Sequence, residues 1–117
     1  MTPMVDSHQI THLDERTLTA FVEQSELPVV VDFWAPWCSA CRQVHADLLE
    51  IAPQFAGLIV IARVDIDGGA ELAEEHSVRL VPTLLVFEGG RVVARLEGRC
   101  SADQLRGVLR TAADPGP

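Results

Sequence analysis

The chain has 117 residues, which suits one domain burying roughly two thirds of its unfolded surface, and its 48% hydrophobic content excludes a disordered protein. A formal charge of -8, with arginine as the only basic residue besides histidine, argues against nucleic acid or an anionic membrane as a partner. No stretch approaches the roughly 20 apolar residues needed to span a bilayer.

Met1 to Thr11 holds Asp6, His8 and Gln9 and no apolar run, so it does not read as a signal peptide, and a reducing cytoplasm is the expected location. Gln9 to Leu13 predicts a short strand. Asp14 is a candidate N-cap for a helix to about Ser25, with Leu18, Phe21 and Val22 on one face. Pro28 opens the apolar run Val29-Val30-Val31-Asp32-Phe33-Trp34, the pattern of a buried central strand. A second helix starts near Cys38 and runs to about Phe55, with Val44, Leu48, Ile51 and Phe55 as its core stripe and Pro53 as a point where it bends or ends. Leu58 to Asp65 reads as a strand, and Ala70 to His76 as a short helix after Gly68-Gly69. Thr83 to Phe87 and Val92 to Leu96 form a hairpin through Gly89-Gly90. Ser101 caps a last helix that turns Leu105, Val108, Leu109 and Ala112 inward. The order predicts an α/β fold, with a mixed sheet and helices on both faces. A single domain is expected, with its core at about residues 9–113 and tails at 1–8 and 114–117.

The segment that carries chemistry is Trp37-Cys38-Ser39-Ala40-Cys41, between a buried strand and a helix start. Two cysteines at this spacing close a small disulfide ring. The first meets the free N–H groups and positive end of the helix, which stabilise a thiolate. The second is placed to attack a mixed disulfide and release the product. A bare C-x-x-C is also half of a zinc site or a buried structural pair. Zinc normally takes four ligands. The remaining candidates Cys100, His8, His12, His45 and His76 supply no second close-spaced pair with cysteine.

The run from Val31 through Asp32, Trp34, Pro36 and Trp37 to Cys38, Cys41 and Arg42 resembles the active-site signature of the thioredoxin family. Ala62 to Asp67 resembles the family's third strand, Val81-Pro82-Thr83-Leu84 its cis-proline loop, and Gly89-Gly90 and Gly98 its glycine positions. The match runs from about Ile10 to Ala112. The resemblance implies a thioredoxin fold, with a mixed five-stranded sheet flanked by four α-helices. It implies a thiol–disulfide oxidoreductase that reduces protein disulfides. Cys38 is then the attacking thiol, Cys41 the resolving thiol and Asp32 the buried carboxylate that takes the Cys41 proton. Trp37, Leu80, Val81, Pro82, Gly98 and Arg99 line the docking surface, and Trp34 packs beneath it. No cofactor or metal is expected beyond a redox-active Cys38–Cys41 disulfide. The implied partners are disulfide-containing client proteins and an electron-donating thioredoxin reductase, with the chain a monomer. A more oxidising oxidase or isomerase, and a non-catalytic binding module, are the competing readings.

The chain departs from the family pattern at several positions. Ser39-Ala40 replaces the usual Gly-Pro, and the Ser39 hydroxyl and Ala40 N–H are expected to point at the Cys38 sulfur. Arg63 replaces a lysine and is expected to hold Asp32 ionised more firmly. Ser39, Ala40 and Arg63 are therefore the expected tuning residues. Ala46 replaces a kinking proline, which predicts a straighter helix up to Pro53. Leu80 replaces a small glycine and enlarges the apolar docking patch. Cys100 reads either as a small buried hydrophobe or as a thiol near the docking face. His45 reads either as a packing residue or as a group that tunes the Asp32–Cys41 region.

Overall fold

Val29, Val30, Val31, Asp32 and Phe33 are consecutive residues without exposed surface, and strand β3 (Val29–Trp34) is accordingly covered on both faces. A computed structural model describes residues 2–114 of the chain. The strands are β1 (Met4–Val5), β2 (Thr11–Leu13), β3, β4 (Val60–Asp65), β5 (Thr83–Glu88) and β6 (Arg91–Glu97). The helices are α1 (Leu18–Gln24), α2 (Ser39–Ile51), α3 (Ala70–Glu75) and α4 (Ala102–Ala113). The sheet order is β1-β2-β4-β3-β5-β6. β2, β4 and β3 run parallel, whereas β1, β5 and β6 join antiparallel to their neighbours.

The strand period of two sorts the core into two layers. Ile10, Val30, Ile61, Leu84 and Val86 pack against Val44, Leu48 and Ile51 of α2 and Leu105 and Leu109 of α4. Val29, Val31, Phe33, Val64, Leu85 and Phe87 pack on the opposite face with Leu18 and Val22 of α1 and Leu72 of α3. Among the described residues no helix is long and apolar enough to cross a membrane.

The sheet has six strands rather than five, because part of the expected N-terminal tail pairs with β2. Asp6 closes this turn: its Oδ1 accepts the N–H groups of His8 at 2.8 Å and Ile10 at 3.1 Å. A two-residue strand is too short for a periodic signal. Gln9 has φ 67°, so β2 begins at Thr11 rather than Gln9. Asp14 is not the N-cap of α1. Its carboxylate accepts from Arg16 N–H and the Thr17 hydroxyl and holds a separate turn, and α1 starts at Leu18 behind Thr17. α2 runs unbroken through Ala46 and ends at Ile51, after which Pro53 sits in a 3-10 turn over Ala52–Phe55. β4 starts at Val60, since Gly57 at φ 81° places Leu58 in an exposed turn. Gly89 and Gly90, at φ 59° and 82°, make the hairpin turn as expected. Of the expected C-terminal tail, residues 115–117 lie outside the described residues, as does Met1 at the other end.

Ser101 caps α4 through a reciprocal pair: its Oγ accepts Gln104 N–H at 3.1 Å, and Gln104 Oε1 accepts Ser101 N–H at 2.9 Å. Replacing Ser101 with alanine removes one half of this box. The Ser101→Ala protein should lose about 1 kcal/mol of stability in urea denaturation, with an unchanged m-value. An unaltered midpoint would show that the cap is dispensable.

Candidate active site

Trp34 ends β3, and the turn that follows places Cys38 as the N-cap of α2. Cys38 N–H donates to Ala35 O at 3.1 Å, which closes that turn. Cys38 and Cys41 are joined as a disulfide, with their Cα atoms 5.3 Å apart. Cys38 Sγ accepts the Cys41 N–H at 3.1 Å. Among the described residues this is the hydrogen bond that reaches the Cys38 sulfur. The Ser39 hydroxyl and Ala40 N–H, expected to point there, do not do so in the disulfide form. The reason is helical geometry: an N-cap side chain meets the N–H of the third helical residue.

A second segment converges on the same sulfur from the start of β5. The Val81–Pro82 peptide is cis, and Cys38 Sγ lies 3.7 Å from Val81 O. Thr83 Oγ1 donates to Leu80 O at 2.8 Å, and Gly98 N–H donates to Pro82 O at 2.7 Å. Gly98 has φ 81°, and a Cβ there would stand 3.3 Å from Leu80 Cδ1. Trp37 is 66% exposed and Leu80 45% exposed, so apolar surface borders the disulfide. Trp37, Leu80, Val81, Pro82, Gly98 and Arg99 thus gather at one end of the sheet. Asp67 also belongs here: its Oδ1 accepts the Trp37 indole N–H at 3.2 Å. Within the run Asp65-Ile66-Asp67 the pattern marked a strand end, and no spacing rule pairs Asp67 with a residue thirty positions earlier.

Asp32 has no exposed surface. It is two residues from Val30 and shares the sheet face covered by α2 and α4. The parallel register sets Arg63 beside it, and Arg63 Nε donates to Asp32 Oδ2 at 3.0 Å. The Arg63 guanidinium also lies over the Trp34 ring, 4.2 Å from its centre. Asp32 Oδ1 is buried without a hydrogen-bond partner among the described residues. Burial pushes the Asp32 carboxyl up to about 6, outweighing the charge and hydrogen bond of Arg63. Both effects have the expected direction: burial raises the group and Arg63 lowers it, and burial is the larger. Asp32 is ionised at neutral pH, but it titrates near it.

His12 occupies the next place in the same row, opposite Arg63 on β2, and pairs with Asp6 at 3.0 Å. His45, on α2, keeps Nδ1 buried and without a hydrogen-bond partner among the described residues; burial and then the nearby Arg63 charge lower its pKa. Cys100 is buried in the α2–α4 layer, and burial, reinforced by Asp32 and Asp47, raises its thiol pKa. Among the described residues no group of three or more His, Cys, Asp or Glu side chains is placed to hold a metal ion.

The thioredoxin family model matches residues 9–111. A thioredoxin of Haemophilus influenzae is 35% identical over 101 residues, covering 86% of this chain and 94% of that protein. A bifunctional thioredoxin reductase/thioredoxin of Mycobacterium leprae is 34% identical over 117 residues, all of this chain and 25% of that protein. Among solved structures, a mutant thioredoxin from Halobacterium salinarum superimposes with a TM-score of 0.82 at 26% identity, covering 100% of this chain and 98% of that one.

The Asp32 carboxyl binds its proton more tightly in the folded chain, at about 6, than at its ordinary value of 3.8. Its contribution to stability is therefore full below the lower value and is lost as the pH rises through the upper one. The carboxamide of an Asp32→Asn variant would mimic the neutral form at every pH, and Arg63 stays charged throughout. The stability difference, Asp32→Asn minus parent, should thus grow by on the order of 2 to 3 kcal/mol between pH 4 and pH 7. Urea denaturation of both disulfide forms measures it, and a flat difference would mean that Asp32 titrates at its ordinary value.

Proposed function

Because the chain belongs to the thioredoxin family and is a protein-disulfide oxidoreductase, we propose that it works in the reducing direction, with Cys38 as the attacking thiol and Cys41 as the resolving thiol. The observation that carries this assignment is the position of Cys38 as the α2 N-cap, where its sulfur accepts the Cys41 N–H. A thiolate at this site gains from that hydrogen bond and from the positive end of the helix. Cys41 has no exposed surface, which keeps it from competing for clients.

In the reaction, the Cys38 thiolate attacks one sulfur of a client disulfide. The client's other sulfur leaves as a thiolate and takes up a proton. Cys41 then gives its proton to the Asp32 carboxylate and attacks Cys38 Sγ. The second client sulfur departs as a thiolate and takes up the proton that Asp32 releases, leaving a client dithiol and the Cys38–Cys41 disulfide. Two electrons have moved from the enzyme to the client. Asp32, raised to about 6, is ionised at neutral pH and close enough to it to accept and release a proton within a cycle. Arg63 limits how far burial raises it, and Ser39-Ala40 sets the flexibility of the loop between the cysteines.

An extended client strand is proposed to lie along the Val81–Pro82 backbone, between Trp37 on one side and Leu80, Gly98 and Arg99 on the other. The cysteine pair needs no further cofactor. Electrons would come from a thioredoxin reductase, a pairing supported by the relative in which such a reductase and a thioredoxin form one chain. A cytoplasmic monomer acting as a single domain over about residues 9–113 completes the proposal.

Mixing the protein with a disulfide client should trap a covalent complex with Cys41→Ser and none with Cys38→Ser. Iodoacetamide should label Cys38 first in the reduced parent. Faster native labelling of Cys41 would reverse the assignment. The parent should reduce insulin in the presence of dithiothreitol; an inactive protein would instead favour a binding module. Cys100, its thiol held protonated by burial, should be dispensable, so Cys100→Ser should keep at least about half of the parent insulin-reduction rate. Loss of most activity with an intact fold would place Cys100 in the mechanism.

A further inference from the structure

In a chain of net charge -8, three exposed arginines border the reactive disulfide. Arg42 directly follows Cys41, Arg79 directly precedes Leu80, and Arg99 directly follows Gly98. Arg42 Nη1 donates to Pro36 O at 3.1 Å, which holds that guanidinium against the active-site loop. Arg79 and Arg99 make no hydrogen bond or ion pair with any of the described residues. By contrast, Arg63, Arg95 and Arg106 each meet a carboxylate, at 3.0, 3.6 and 3.0 Å. The remaining arginines stand apart from the site. Arg91 lies at the far hairpin, Arg110 in the last turn of α4, and Arg16 beside Glu15 on the loop after β2, two strands from β3.

Of the carboxylates near the cleft, Asp32 is closed off from solvent and Glu97 meets Arg95, whereas Asp67 and Asp65 accept only from neutral donors, the Trp37 indole and the Asp67 N–H at 2.9 Å, and so leave the Trp37 side acidic. Glu74 and Arg79 line the same shallow hollow beside α3 without pairing, so Arg79 borders the rim on the α3 side and Arg99, next to Gly98, on the other. Between them the surface is apolar: Leu80 reaches over Gly98, and it and Trp37 are both exposed.

We infer that this rim selects clients in which the disulfide is flanked by an apolar residue and by carboxylates, the apolar side chain resting on Leu80 and the carboxylates meeting Arg79 and Arg99. The inference rests on the reducing reading above and specifies its substrate class. Long-range charge repels an acidic client from this acidic protein, and Arg79 and Arg99 beside the cleft offset that repulsion locally. The same field therefore steers acidic segments toward Cys38 and away from the rest of the surface. Guanidinium forks hold carboxylates in a defined plane, which fixes the orientation of the segment as well as attracting it.

The test uses two short disulfide peptides of equal length, both with leucine beside one cysteine. One carries Asp and Glu in its flanks, the other Ser and Gln. Pre-reduced full-length protein is mixed with each, and the second-order rate constant of reduction is measured. The acidic peptide should react about tenfold faster at low ionic strength, as expected for a few exposed charge contacts acting together. The ratio should shrink towards one in about 0.5 M salt, where the Debye length is only a few ångströms. In the double variant Arg79→Glu with Arg99→Glu the ratio should fall below one. Equal rates for the parent, or a ratio unchanged by the double variant, would overturn the inference while leaving the reductase reading intact. Reduction of neither peptide by a parent that also fails with insulin would overturn both.

Discussion

A carboxylate with no solvent sits in the middle of this sheet, and the buried guanidinium of Arg63 is what makes it tolerable. An isolated ionised carboxylate in such a place is costly, and removing one member of a buried pair strands the other. The pair forms because β3 and β4 run parallel in a register that sets Asp32 beside Arg63. Arg63 in turn lies against Trp34, which packs on the cluster of Ala35, Cys38 and Cys41. Position in the sheet, packing under the disulfide and the charge state beneath it are therefore coupled through one side chain. Oδ1 of Asp32 has no hydrogen-bond partner among the described residues, and burial accordingly wins over pairing in setting the affinity of the carboxylate for a proton.

The disulfide occupies the carboxyl end of β3, between parallel β4 on one side and antiparallel β5 on the other. Strand order reverses there, since the chain passes from β3 to β4 on one side and later enters β5 on the other, and open sheets commonly place their sites at such a point. The change brings the α2 N-terminus, the cis Val81–Pro82 peptide and the Gly98 turn to one spot from three separate parts of the chain. Each backbone is pinned by a short hydrogen bond: Cys41 N–H to Cys38 Sγ, Thr83 Oγ1 to Leu80 O, and Gly98 N–H to Pro82 O. Under the proposed function these hydrogen bonds hold the floor of the docking groove, and the exposed side chains of Leu80, Arg79 and Arg99 on its rim would set client choice without touching the chemistry.

Much of this was legible in the amino-acid order. Consecutive buried residues mark β3 because a strand covered on both faces has no polar positions to alternate with. The Gly89-Gly90 hairpin and the Ser101 cap are local devices whose geometry depends on a few neighbouring residues, so they appear where expected. The misplaced boundaries have equally local causes. Asp14 closes a turn of its own instead of capping α1, and Gln9 enters the left-handed region. Side-chain hydrogen bonds of Asp compete between caps and turns, and the order of residues alone does not say which one wins.

The sequence by itself determined the α/β class, the core positions and the Cys38–Cys41 pair at a helix start, because spacing along one chain carries that information. The folded structure alone decided which distant groups meet. The partnership of Trp37 with Asp67 and the added strand at Met4–Val5 depend on the register between segments far apart in the chain. So does the balance at Asp32, where burial of the carboxylate and Arg63 as its neighbour were both expected but which effect is larger was not. Charge pairing can be read from residue types, whereas desolvation is a property of everything packed around a group, and here desolvation is the larger effect.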